Sequence, residues 1–266
     1  MVRLQRGAEQ LAGADQRASL PVGEANDEIA RLARTLNHFL DDVRDSADRE
    51  KRMVSDAAHE LRTPLAALKT QLEIARTDTT EPRLTAQLSS AEVSVDRLSA
   101  LATNLLELAR LEQGAPLGAA GTTELEEQFL ASVDRARLLA LSRGVAVDYD
   151  LGPLTTAVRT SGTSFGRLCD NLLANAVSAA TAAVRVSLVQ DSTALRLAVS
   201  DDGAGMPADF VPLAFDRFSR ADSARSSTGS GLGLSLVKAI AESAGGDVTV
   251  ENLSPGLTAR VTLPNM

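Results

Sequence analysis

The chain has 266 residues, a net charge of −8, 44% hydrophobic and 23% charged residues. It is longer than one ordinary domain, too apolar for a disordered chain, and too acidic for a general nucleic-acid binder, whose phosphate affinity rests on clustered Lys and Arg. Aromatics reach 3% with no Trp, one Cys and two His, which excludes base-stacking platforms, an internal disulfide and a multi-His zinc centre.

Residues 1–45 are helical in pattern around a polar break at 19–27. Ile29, Leu32, Leu36 and Phe39 or Leu40 form one stripe. Leu61, Leu65, Leu68 and Leu72 step by four, three and four, which predicts one apolar helix face. The stretch 78–82 interrupts it, with Thr80 as a candidate N-cap and Pro82 in a first turn. A second stripe follows: Leu84, Leu88, Ala91, Val95, Leu98, Ala102 and Leu105, widened by Leu101, Leu106 and Leu108. Two antiparallel helices this apolar cannot cover each other, so residues 46–114 are expected to form half of a dimeric four-helix bundle. Gly114–Gly118 is a turn-rich boundary.

Beyond it the pattern predicts a helix at 123–142, strands at 145–149 and 156–159, and a helix at 164–180. A hairpin at 184–189 and 194–200 follows, then a Gly-, Ser- and Asp-rich loop over 201–230, a helix at 231–244, and strands at 247–251 and 257–263. Residues 120–266 therefore read as an α/β sandwich with helices on one sheet face. The whole is a multidomain α and α+β chain. No run approaches the ~18 apolar residues of a membrane span, so the chain as given is expected to be soluble.

Four sites can carry chemistry. His59 lies in the first long helix, two residues before Leu61 and away from its stripe. Thr63 is one turn on, and Pro64 crowds the carbonyl of Glu60, predicting a kink beside the histidine. A solvated surface His is the plainer reading. Asn171 and Asn175 share a helix face, and paired amide oxygens suit Mg²⁺; two solvated Asn fit as well. Asp201 ends a strand and is followed by Gly203 and Gly205, which admit close approach of a flat, hydrogen-bonding ligand; an ordinary Asp-Gly turn has the same residues. Gly229, Gly231 and Gly233 with Leu232 and Leu234 open a helix, where backbone amides can face a phosphate. They form neither a dinucleotide fingerprint nor a P-loop. Cys169 reads as a small core residue.

The order of these elements resembles the nucleotide site of the GHKL ATPase superfamily. The intervening Phe215, Arg217, Phe218 and Arg220 are similar to the phenylalanine box and ATP lid of sensor histidine kinases. The His59-Glu60-Leu61-Arg62-Thr63-Pro64-Leu65 stretch matches their phosphoacceptor box. Residues 20–45 resemble the end of a HAMP signal-relay domain, whose first helix would be residues 2–13.

The resemblance implies a dimeric protein histidine kinase that uses ATP and Mg²⁺ and passes the phosphoryl group to an aspartate of a response regulator receiver domain. His59 would be the nucleophile, Glu60 its orienting or deprotonating partner, and Thr63 a group that positions water for dephosphorylating the regulator. Asp201 would accept the adenine amino group, Asn171 and Asn175 would hold Mg²⁺, and Gly229, Gly231 and Gly233 would close on the phosphates. A relay domain of this kind implies a cytoplasmic fragment of a bacterial inner-membrane protein. An ATP-driven GHKL clamp and a non-catalytic dimeric relay are the competing readings. Two departures stand out: Ser178 and Ala179 replace the family's basic and aromatic residues, leaving a phosphate contact to Arg217, Arg220 or Arg225. Ala244-Gly245-Gly246 replaces a His-Gly-Gly.

Overall fold

The computed structural model describes residues 36–38, 57, 60–61, 63–113, 118–220 and 231–266. The chain divides into two compact units, Met1–Val54 and Ser55–Met266. In the first, residues 36–38 are described and are helical. His59, Arg225, Gly229, the boundary residues 114–117 and the expected relay helix at 2–13 lie outside the described residues.

In the second unit, helix α1 spans 63–77, with Pro64 inside it, and α2 spans Pro82–Glu112. Lys69 Nζ meets Asp96 at 2.6 Å, and Arg76 Nε meets Glu92 at 2.9 Å. As the number rises on one helix it falls on the other, so the hairpin is antiparallel. These exposed pairs set register more than stability, at about 0–1 kcal/mol each. Thr80 is not the cap: Glu81 holds that position without a side-chain bond, and Thr79 Oγ1 accepts the Glu81 N–H at 3.3 Å. Pro82 dispenses with one N–H that a first turn leaves unpaired anyway.

The remainder is α3 (Thr122–Leu141), β1 (Ala146–Leu151), α4 (Gly162–Ala179), β2 (Ala183–Gln190), β3 (Ala194–Asp201), a 3-10 turn at Val211–Leu213, α5 (Gly233–Ser243), β4 (Asp247–Asn252) and β5 (Leu257–Pro264). The sheet order is β1-β2-β3-β5-β4. β1 and β2 are parallel and the other pairs antiparallel. Alternate residues Val184, Val186 and Leu188 of β2 and Leu195, Leu197 and Val199 of β3 are buried, the period-two signature of a sheet covered on one face. Phe165, Leu168, Cys169, Leu172, Leu173 and Ala176 of α4, with Leu236, Val237 and Ile240 of α5, form the opposing layer. Each large side chain so buried contributes roughly 1.5–3 kcal/mol. Burial also pushes the Cys169 thiol well above its usual range, as suits a core residue.

The expected strand at 156–159 reduces to a bridge, Val158 pairing with Ala120 and Asn265. The helix expected from 164 begins at Gly162, because Ser161 caps it by accepting the Ser164 N–H. The helix expected over 231–244 is Gly233–Ser243, since Gly231 is left-handed with φ +73°. Part of the wide α2 stripe is spent inside the chain, where Leu101, Leu105 and Leu108 pack into the core of the α/β domain.

Candidate functional site

Asp201 is the last residue of the row Leu195, Leu197, Val199 on β3, so strand alternation delivers its carboxyl to the helix-covered face. It is 6% exposed. Burial raises its pKa above the ordinary aspartate value, opposed by backbone N–H groups of Gly203 and Leu257. The Gly203 N–H donates to Oδ1 at 2.9 Å. Asp202 faces the other way. Its carboxylate accepts from the backbone N–H groups of Ala182 at 3.0 Å and Thr181 at 2.8 Å, which hold it below the usual range. The doublet thus splits: Asp202 fastens the α4–β2 turn, and Asp201 is an acceptor kept for a cavity.

The loop after Asp201 is fixed by Asn252, whose Oδ1 accepts from the Met206 N–H at 2.8 Å while its Nδ2 donates to the Met206 carbonyl at 2.7 Å. A side chain on Gly203 would run into the carbonyl of Ala179, which accounts for the glycine.

On α4, Asn171 Nδ2 donates to the Arg167 carbonyl at 2.8 Å. That bond fixes the amide and leaves Oδ1 facing the start of α5, where a Cβ added to Gly233 would lie 2.9 Å from it and 3.7 Å from Asn175 Nδ2. The two amides and the amino end of α5 therefore converge on one spot, which suits anions and oxygen-bound cations together. Among the described residues no group of three His, Cys, Asp or Glu could hold a metal ion.

Phe218 donates its N–H to the Gly231 carbonyl at 2.9 Å. This joins the two chain segments that flank 221–230. Phe218 itself is left-handed with φ +59°, a costly conformation for a bulky residue.

A cavity of about 420 Å³ gathers the expected residues Asn171, Asn175, Asp201, Gly205, Arg220, Gly231, Gly233 and Leu234, with apolar walls from Met206, Phe210, Leu257 and Ala259. That volume fits a small-molecule ligand. Gly203, Phe215, Arg217, Phe218 and Leu232 are not on its lining. Phe215 packs on the core and Leu232 is fully buried, so both support the wall. Arg217, expected at a phosphate, is paired with Glu112. Glu60 and Thr63 are exposed on the helical hairpin and do not line the cavity.

The sequence reading missed the contribution of α2. Arg97, Ala100, Leu101 and Asn104 form part of the same cavity. A signal was present in Asn104 and Glu107, polar residues inside an otherwise apolar helical run.

Three families match in chain order. The HAMP domain matches residues 1–45, the His Kinase A (phospho-acceptor) domain residues 49–114, and the histidine kinase-, DNA gyrase B- and HSP90-like ATPase residues 160–266. The signal transduction histidine-protein kinase/phosphatase MprB of Mycolicibacterium vanbaalenii is 36% identical over 96% of this chain and 54% of its own length. MprB of Mycobacterium leprae is 34% identical over 96% of this chain and 50% of its own length. The chain spans about half the length of these curated relatives. The fold is shared with full-length ShkA, solved in complex with AMPPNP (TM-score 0.62, 22% identity, 80% of this chain, 46% of that one). It is shared too with the histidine kinase AdeS of Acinetobacter baumannii (TM-score 0.52, 23% identity, 78% of this chain, 98% of that one). With a relay segment, a phosphoacceptor hairpin and a GHKL ATPase domain in that order, the chain belongs to the bacterial two-component sensor histidine kinases.

Proposed function

We propose that the chain is the signalling portion of a sensor kinase that phosphorylates itself on His59 from ATP and passes the phosphoryl group to an aspartate of a response regulator. The observation that carries this reading is the convergence of Asp201, Asn171, Asn175 and the start of α5 on one cavity, in a chain that also has the phosphoacceptor box.

In this reading Asp201, already committed on one oxygen to Gly203, accepts the adenine amino group, and Gly205 lets the ring approach. Asn171 and Asn175 would hold Mg²⁺ through their amide oxygens, and the ion would neutralise phosphate charge. The amino end of α5, through Gly231 and Gly233, takes the phosphates. Arg220 lines the same cavity, as Arg97 does, and would supply the cation that Ser178 does not. A nitrogen of the His59 ring attacks the γ-phosphorus, the bond to the β,γ-bridging oxygen breaks, and ADP leaves. Glu60 takes the ring proton. Catalysis of this kind is mostly positioning and charge neutralisation.

Thr63, exposed one turn after His59, would position water when the regulator is dephosphorylated. Apolar side chains left bare on the hairpin, among them Leu61 and Leu98, support pairing with a second copy. The relay match over 1–45 supports a cytoplasmic position beneath a membrane receptor. Among the described residues no helix is long and apolar enough to cross a membrane.

The test is incubation with Mg-ATP followed by assay for acid-labile, base-stable phosphate. The wild-type chain should be labelled, and His59→Gln should bind nucleotide normally yet take up none. Labelling of His59→Gln at wild-type level would move the acceptor elsewhere. An unlabelled wild type would favour the clamp or the silent relay.

A further inference from the structure

Arg97 stands on the wall that α2 contributes to the cavity, and its charge is not answered within the protein. Among the described residues it has no ion-pair partner. One turn away on either side lie Val93, Ser94, Ala100 and Leu101, none of them acidic. The nearest acids, Asp96 and Glu92, are taken by Lys69 and Arg76 of α1.

The contacts between α2 and α4 say where along α4 this arginine sits. Glu107 accepts from Ser164 Oγ at 2.8 Å and from Arg167 Nη1 at 2.5 Å. Asn104 Nδ2 donates to Asn171 Oδ1 at 3.4 Å. Numbers fall on α2 as they rise on α4, so the contacts run antiparallel. Seven residues make about two turns, roughly 10.5 Å, and return a helix to nearly the same face. Seven before Asn104 is Arg97, and seven after Asn171 is Ser178. The cavity wall agrees: Arg97 and Ala179 are both on it, with Ala100, Leu101, Ala174 and Asn175 between.

Ser178 is the position where the resemblance calls for a basic residue, so α2 brings a cation in space to a place that α4 leaves neutral. Arg143 is the other cation beside Ser178. Its Nη2 is spent on the Ser178 carbonyl at 2.9 Å, and it is not on the cavity lining. The charged side chains on that lining are Arg97, Arg220 and the buried Asp201. Two cations against one carboxylate is a local positive excess in a chain of net charge −8, and it suits the phosphates of a ligand whose base is held at Asp201.

We propose that Arg97 binds nucleotide phosphate: α2 delivers its guanidinium to the Ser178 end of the site, as a second cation beside Arg220. The inference rests on the nucleotide reading of the cavity given above. A planar guanidinium can pair two phosphate oxygens at once. Because Arg97 is exposed, water screens the pair, and it strengthens binding by up to about fivefold.

The test is calorimetric titration of the full chain with Mg-ADP, and with adenosine by displacement of bound ADP. Arg97→Ala should weaken ADP several-fold and leave adenosine unchanged. Arg97→Lys should keep most of the ADP affinity, and Arg97→Glu should lose more than alanine does. The gap between wild type and Arg97→Ala should narrow as NaCl is raised, because a screened charge carries it. Alanine suits an exposed helix position, so folding is not at stake. Equal ADP affinity in wild type and Arg97→Ala would overturn the proposal. Equal losses for ADP and adenosine would overturn it too, as the mark of a disturbed wall. Asp201→Asn separates the two levels: if it also leaves ADP binding unchanged, the nucleotide reading fails and Arg97 with it. Weaker ADP binding in Asp201→Asn beside unchanged binding in Arg97→Ala overturns the role of Arg97 alone.

Discussion

Asp201 and Asp202 are adjacent in sequence and opposite in environment. The buried one titrates high because desolvation penalises its charge. The other titrates low because backbone donors stabilise its charge. Asp201→Asn keeps the shape but swaps an acceptor for a group that also donates, so ATP affinity should drop at least tenfold, about 1.4 kcal/mol. Calorimetry showing unchanged affinity would return the motif to a plain turn. A pH series follows from the same residue. Ionised Asp201 accepts the adenine amino group, so affinity should fall as pH is lowered, with a midpoint above the ordinary aspartate value of 3.8. A midpoint at or below that value would mean that another group governs binding. For folding, the sign reverses: a raised pKa means that charged Asp201 costs stability at neutral pH, relieved as pH falls through it. The depressed Asp202 contributes stability that is lost on acidification through its own low value. The motif was legible because strand parity and two glycines are local. Glu107 was not, because its partners Ser164 and Arg167 lie 57 and 60 residues away.

At the scale of elements, α4 carries both asparagines, and it starts two residues before the expected position. Residues 160–164 hold Thr160, Ser161, Thr163 and Ser164, all able to cap, so local chemistry alone did not choose. A distant bond joins a local cap in making the choice. Glu124 Oε1 on α3 accepts the Gly162 N–H at 3.1 Å, and Ser161 Oγ accepts the Ser164 N–H at 3.1 Å. Ser161→Ala should then cost about 1 kcal/mol, read as a lower denaturation midpoint at unchanged slope. ADP affinity should hold, since Asn171 lies more than two turns further on. An unchanged midpoint would mean that Glu124 alone anchors the helix. The bridge at Val158 has a similar origin. Four alternating residues suggested a strand, yet the segment reaches only Ala120 and Asn265, outside the five-stranded ladder. The hairpin β2–β3 and the closing pair β4–β5 were readable because each needs nothing beyond its own turn.

For the whole molecule, the breadth of the α2 stripe had been reason to expect a second copy, and the chain itself claims part of it. Leu101, Leu105 and Leu108 serve the α/β core; Ala102 and Leu106 form a small cluster of their own. What remains bare on the two stripes is still large: Leu61 is 53% exposed and Leu98 52%, with Leu68 and Leu84 also exposed. A soluble chain rarely leaves so many large apolar side chains on one hairpin without a partner. A face of this kind is self-complementary under two-fold symmetry, in which each hairpin covers the other. Light scattering of the full chain should therefore give twice the 27.9 kDa of one copy at micromolar concentration, without nucleotide. Leu98→Glu should shift it toward one copy, because a carboxylate in that interface would be desolvated without a counter-charge. A single-copy mass for the wild type would mean that the bare face serves some other partner and that the four-helix bundle is not how this hairpin is completed.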